Sequence, residues 1–354
     1  MSTFLQFHLL TTYGPSNPNR DDQGRPKEAR VGGSLRLSSQ SVKRALRESS
    51  FFEIDLKDKL GTRTKRLHEK LVEHLKSKEI AETEANTAAD EVAGIFGKME
   101  KSENVSSVTT LAFISPDEWK LAEELAEKIV SGDKLPNDKE MKKHVLQRAD
   151  GAVDIAMFGR MLAGAPAFNR DAAVQVAHAF TTHTAIAQED WFSAVDDLNK
   201  AENKPDSGHL GEIGFGSGVY YQYVCVNVDL LVKNLAGDRD LASKGAEALA
   251  RAIAIATPKG KQNSFAHHPR AHYVLAERGT QAPRDLSGAF FDPVDTPYLE
   301  NSVKVLEKTR ADIDSAYGRG CDDDHTMRVG VTGTLDKIVH FAGAAVREAG
   351  CNPT

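Results

Sequence analysis

The chain has 354 residues, 40% hydrophobic and 27% charged, with a formal net charge of -6. That length can bury a sizeable core in one large or two ordinary domains, and the balance of residue types is that of a globular protein. The acidic total argues against a general nucleic-acid coat, and no apolar run is long enough to cross a bilayer.

The cysteines Cys225, Cys321 and Cys351 are odd in number, far apart and without C-x-x-C spacing. They predict a reducing cytoplasm rather than a disulfide framework or a structural zinc site. The opening MSTFLQFHLL has no basic n-region and no small-residue cleavage site, so no signal peptide is expected. Charge is unevenly spread: from Arg20 to Arg47 eight Lys or Arg face three acids, a local excess of +5. A basic zone on an acidic body fits a polyanion held in one groove, and equally a solvated loop and helix face.

FLQFHLL (4–10) reads as a short apolar strand and residues 11–33, rich in Gly and Pro, as a long loop. LRLS (35–38) reads as a second strand. SQSVKRALRES then predicts a helix with a serine N-cap and an apolar stripe of Val42, Ala45 and Leu46. From 54 to 150 the pattern turns helical and charged. Leu67, Leu71 and Leu75 share one face, and Ser115-Pro116-Asp117-Glu118 is a capping box with Pro at N1. Within that block VTTLAFIS (108–115) allows a short strand. Period-2 alternation predicts strands at 153–161 and 173–180. Residues 184–217 form a polar, glycine-rich excursion around Trp191-Phe192-Ser193-Ala194-Val195. GVYYQYVCVNVDLL (218–231) is the strongest strand signal. A helix at 241–257, a basic loop at 257–265, a strand at 272–277 and helices near 297–316 and 333–349 complete the chain. This order predicts an α+β class, and a split βαβ palm of the ferredoxin kind with insertions accommodates it.

GFGSG (214–218) is followed by a strand, not a helix, so it is no dinucleotide loop; its glycines are expected to permit a tight return. The histidines lack ligand spacing, and CDDDH (321–325) reads as an acidic surface turn. Catalytic residues, a metal and cofactors are therefore not expected. Asp21 and Asp22 are the exception to weigh: they could hold a divalent ion for phosphodiester cleavage, or pair with Arg20, Arg25 or Arg30 and order the loop. For RNA, Ser38, Ser39 and Gln40 stand at a strand-to-helix junction where donors can meet phosphates. Lys43, Arg44 and Arg47 add charge, and Lys259, Lys261 and Gln262 form a second basic loop.

NRDD (19–22), the Gly32-Gly33 pair, LRLSSQSVKRALR (35–47), VDIAMFGRM (153–161), AHAFTTH (177–183), DWFSAVDDL (190–198), GSGVYYQY (216–223) and GKQNSFA (260–266) occur in that order. Together they resemble the CasC family, the repeated backbone subunit of the type I-E CRISPR Cascade surveillance complex. The likeness is thin across 54–150 and after 275, so no residue there is assigned. The resemblance implies a ferredoxin-like, RNA-recognition-type palm (1–53, 151–183 and 218–354), a helical fingers insertion (54–150) and a thumb hairpin (184–217). It implies head-to-tail copies along the spacer of a CRISPR RNA, other Cascade subunits as partners, and pairing of the guide with target DNA. It places Ser38, Gln40, Lys43, Arg44 and Arg47 on phosphates, and Arg20 and Lys27 in the N-terminal loop. Met161 is placed against bases, Phe192 and Val195 in the thumb as an apolar wedge, and Lys261 and Gln262 near the RNA.

Overall fold

The computed structural model describes residues 2–29, 33–102, 105–133, 137–147, 150–162, 164–195 and 207–349; at 101, 102, 105, 194, 195 and 207–209 it describes the backbone alone. Helix and sheet are mixed, and the chain divides into two compact units. Residues 1–49, 176–225 and 249–345 make one unit; residues 50–175, 226–248 and those from 346 on make the other.

The first unit is built on a large sheet. Its strands include β1 (Phe4–Ser16), β2 (Glu28–Ala29), β3 (Ser34–Leu37), β4 (Ala179–Thr181), β5 (Gln188–Val195), β6 (Ser207–Asn227), β7 (Ala271–Gly279) and β8 (Asp323–Arg328), and the short strand Val174–Val176 also pairs with β6. Their order is β8-β7-β1-β6-β4-β3-β2, with β5 paired to β6 off that path. The register is antiparallel for β1 with β7 (His8 opposite Leu275), β7 with β8 (Arg278 opposite Asp323) and β3 with β4 (Arg36 opposite Phe180). Alternation along β6 sends Val219, Tyr221, Tyr223 and Cys225 to one face, as the two-residue side-chain period of a strand requires. There they pack with Phe290, Val303 and Leu306, the last two from the helix Tyr298–Tyr317.

A polar cluster lies inside this core. His8 and Glu277 are both fully buried, 3.3 Å apart. Leu286 N–H donates to the Tyr221 hydroxyl oxygen (3.0 Å), which leaves that hydroxyl's hydrogen for His8 Nδ1 at 2.9 Å. Burial alone would raise the Glu277 carboxyl. His8, Arg310 (Nε to Oε1, 2.8 Å) and Arg284 outweigh it and hold the group at about 2.

The second unit is mostly helical. Leu67, Leu71 and Leu75 are fully buried, as their spacing predicts, and pack with Val92, Phe96 and Leu125. Ser115 and Glu118 form the expected capping box of the helix Pro116–Val130. Glu118 does more than cap: its buried carboxylate takes both arms of the Arg160 guanidinium, with Nη2 donating at 2.7 Å, and accepts from Gln147 N–H at 2.7 Å. Arg170 and Asp150 make a second buried bidentate pair, both bonds 2.8 Å. The backbones of Arg160 and Arg170 exchange hydrogen bonds of 3.0 and 2.9 Å, so the two pairs sit on one bridge.

Several local expectations need correction. Residues 153–158 are a helix, not a strand; Val153 through Met157 are all buried, and a helix covered all round shows no 3.6-residue stripe. The expected loop at 11–33 begins only after Ser16, because β1 continues through Thr11, Thr12 and Tyr13. The 321–325 turn is mostly strand β8, a polar edge that takes its ladder from β7. The GFGSG glycines make no return. They lie in extended β6, where a Cβ on Gly216 would meet Leu35 Cδ1 at 2.3 Å and one on Gly218 would meet Thr181 Cγ2 at 2.8 Å.

Candidate nucleic-acid interface

The segment between β1 and β2 carries Arg20, Arg25 and Lys27 and is held by two asparagines. Asn17, fully buried, donates from its side-chain amide to the carbonyls of Gly24 (2.9 Å) and Gly214 in β6 (2.7 Å). Asn19 Oδ1 accepts Ser38 N–H at 2.7 Å, and its carbonyl accepts Lys27 N–H at 3.0 Å. Arg20 bridges Pro26 through the backbone. Asp21 Oδ1 accepts the N–H groups of Gln23 (3.0 Å) and Arg25 (2.8 Å), so this acid orders the loop through backbone amides. The Arg25 side chain instead meets Glu189 of β5 at 2.6 Å, in place of the Asp21 or Asp22 partner expected. Arg30 is outside the described residues. Among those described, no three His, Cys, Asp or Glu side chains gather as a metal cluster would require.

The helix Ser39–Arg47, α1, follows β3. Ser38 is its N-cap, with the hydroxyl oxygen accepting Ser41 N–H at 3.3 Å. Val42, Ala45 and Leu46 are buried as predicted, which sets the polar residues on the other side. Gln40 and Arg44 are exposed, Lys43 and Arg47 half-buried, and Ser38 nearly covered at 6%. Arg44 reaches Glu48 at 2.7 Å, an exposed pair one turn along the helix.

The second basic loop arrives beside α1 because Gly260 allows it. A Cβ there would stand 2.4 Å from the Pro18 carbonyl oxygen, so the backbones touch and only glycine fits. A cleft of about 350 Å³ results, lined by Pro18, Ser41, Arg44, Glu48, Lys259 and Gly260 among others. The structure thus brings Arg44 and Lys259, more than two hundred positions apart in sequence, to one wall. Lys261 adopts φ 49° at the start of a single helical turn, Gln262–Phe265. The Gln262 amide donates to His267 O at 2.9 Å and so is engaged within its own loop.

Strands β5 and β6 pair antiparallel as a hairpin from Gln188–Phe215 to Val195–Ser207. Phe192 stands opposite Gly211, and its ring fills the space of the missing side chain: a Cβ there would lie 2.5 Å from Phe192 Cζ. Phe192 is 45% exposed, with Trp191 and Leu210 more so. The Val195 side chain is outside the described residues. The hairpin base rests on the 17–27 loop, where a Cβ on Gly214 would meet Pro26 Cδ at 3.0 Å.

Met161 belongs to the other unit and is 81% exposed, next in sequence to the fully buried Arg160 side chain. Of the residues named from sequence, Arg20, Lys27, Ser38, Gln40, Lys43, Arg44, Arg47, Lys259, Lys261, Gln262 and Phe192 all belong to the first unit. Asn17 and Asn19 escaped the sequence reading. The signal was present in N-P-N-R, since asparagine beside proline is turn chemistry.

This mixed α+β architecture with a large antiparallel sheet is found in chains of CRISPR RNA-guided surveillance complexes. One such chain, from a complex in its pre-nicking state, is 29% identical and superposes with a TM-score of 0.84 over 97% of this chain and 100% of that one. A second, from another CRISPR RNA-guided surveillance complex, is 24% identical with a TM-score of 0.72, over 97% and 99% of the two chains, and supports the fold. No curated protein matches the sequence. A family model described as CT1975-like protein matches residues 5–341, so the chain belongs to the CT1975-like protein family.

Proposed function

We propose that this chain is the repeated backbone subunit of a Cascade-type CRISPR RNA-guided surveillance complex, of type I-E, and is not an enzyme. The observation that carries this reading is the near-complete two-way coverage of a surveillance-complex chain at 29% identity. The cleft that joins α1 to the 257–262 loop supports it from within the molecule. In this reading the first unit carries most of a ferredoxin-like palm, residues 54–150 of the second are the fingers, and the β5–β6 hairpin is the thumb. Gln40, Lys43, Arg44, Arg47, Lys259 and Lys261 meet phosphates of the CRISPR RNA without regard to sequence, as backbone contacts do. Copies add head to tail along the guide, a heterologous contact that propagates until other Cascade subunits cap it. The guide, with bases displaced at intervals by Phe192 and its neighbours, then pairs with target DNA.

Co-expression with a CRISPR RNA tests the proposal. The expected product is a nucleic-acid-rich assembly many chains long; a nucleic-acid-free monomer at low salt would sink it. Manganese-dependent RNA cleavage abolished by Asp22→Asn or by a change at Asp21 would instead establish a ribonuclease.

A further inference from the structure

Away from α1, the first unit has a second and larger cleft, of about 710 Å³, at the β2–β3 edge of the sheet. Its walls include Glu28, Arg36, His178, Phe180, Phe290 and Phe291. Phe291 is 74% exposed, an unusual setting for a phenylalanine on a wall that also carries charge.

The polar groups have defined roles. Arg36 Nη1 lies 2.9 Å from His178 Nδ1. A guanidinium only donates, so Nδ1 is the acceptor and the imidazole proton of neutral His178 sits on Nε2. Burial, then the charges of Arg36 and Lys27, hold the His178 pKa below its ordinary value and keep the ring neutral. The cleft therefore has donors on Arg36 and His178, the acidic residue Glu28 in its lining, and aromatic faces.

We infer that this cleft binds an unstacked nucleobase, with Phe291 as its stacking platform and Glu28, Arg36 and His178 reading its polar edge. A phosphate would be repelled by Glu28, and an apolar side chain would use none of the three polar groups. A base uses all of them, because its edge carries donors and acceptors together and every base has a π face. Lys27, close enough to act on His178, supplies charge for the phosphate that enters with the base. The inference rests on the RNA-binding reading above and adds a base-contacting site to it.

The test uses the full chain assembled on a CRISPR RNA carrying 5-iodouridine at one position at a time, irradiated and mapped by mass spectrometry. Crosslinks to Phe291 or His178 at regularly spaced guide positions are expected. Phe291→Ala, a change at an exposed side chain, should abolish them, leave the melting temperature unchanged and weaken RNA binding by roughly fivefold or more. Bound RNA that crosslinks only to α1 or the hairpin would overturn the site while leaving the proposed function standing. Unchanged RNA affinity with a smaller assembly for Phe291→Ala would assign the cleft to a neighbouring copy and overturn it too. A chain that binds no RNA at all would overturn both readings.

Discussion

Arg160 and Arg44 carry the same guanidinium into opposite surroundings. Arg160 is wholly buried in the second unit, gripped by Glu118 and by the carbonyls of Phe113 (3.1 Å) and Gln147 (2.9 Å). Arg44 stands on the exposed side of α1 with Glu48 as a solvated neighbour. One holds helices and loops in place; the other is available to a polyanion. A count of basic residues treats them alike, and only the carboxylate's own burial separates the buried pair from the solvated one.

The sharpest way to break this contrast is to remove Glu118. Glu118→Ala strands a buried cation and the Gln147 amide and should cost about 3–5 kcal/mol, read as a lowered denaturant midpoint. Arg44→Ala should change stability by no more than about 0.5 kcal/mol. Equal losses from the two variants would erase the distinction.

Charge reversal tests the other side. Lys43→Glu with Arg47→Glu should reduce RNA affinity by more than a hundredfold and leave the second unit's folding untouched. Each phosphate that is no longer neutralised should also flatten the log affinity versus log salt slope by roughly 0.7. Wild-type affinity in that variant would take α1 out of the interface.

Acid should weaken the fold through the buried Glu277. With Glu277 held at about 2 against an ordinary value of 4.5, the unfolded chain takes up that proton first as pH falls. The stabilisation it gives is complete above the unfolded value and drains away between about 4.5 and 2. His8 adds to the same trend: burial lowers its pKa below 6.5, so protonation favours the unfolded chain from there downward. Stability followed by denaturation across pH 7 to 3 should therefore decline, and Glu277→Gln should flatten the lower part of the curve.

Local periodicity made much of the architecture legible. The Val42, Ala45, Leu46 stripe, the Leu67, Leu71, Leu75 face and the capping box at 115–118 each have their cause within a few residues. The charge excess at 20–47 and the basic loop at 257–265 were legible in the same local way, though the cleft that brings Arg44 and Lys259 together was not. What escaped depends on distant partners. The helix at 153–158 hid its period because both sides are covered, and β8 read as an acidic turn because a polar edge strand takes its ladder from one neighbour. The grip of Asn17 on Gly214 joins residues 197 apart; the N-P-N-R string marks a turn at Asn17 but says nothing of so distant a partner.

That grip yields the smallest and most discriminating expectation. Asn17→Ala removes two hydrogen bonds, to Gly24 and Gly214, and leaves both carbonyls to find other partners. No charge is removed, so the same phosphates are neutralised as in the native chain. The variant should bind RNA several-fold more weakly, with the same salt slope as the native chain, because only the positioning of the 17–27 loop against the hairpin has loosened. Gly214→Ala, which would press a methyl toward Pro26 Cδ at 3.0 Å and Arg25 Cα at 3.3 Å, should give the same signature from the opposite side of the hairpin base. A flattened slope in either variant would mean that the loop's cations themselves had left the phosphates, and that the asparagine holds charge in place rather than geometry.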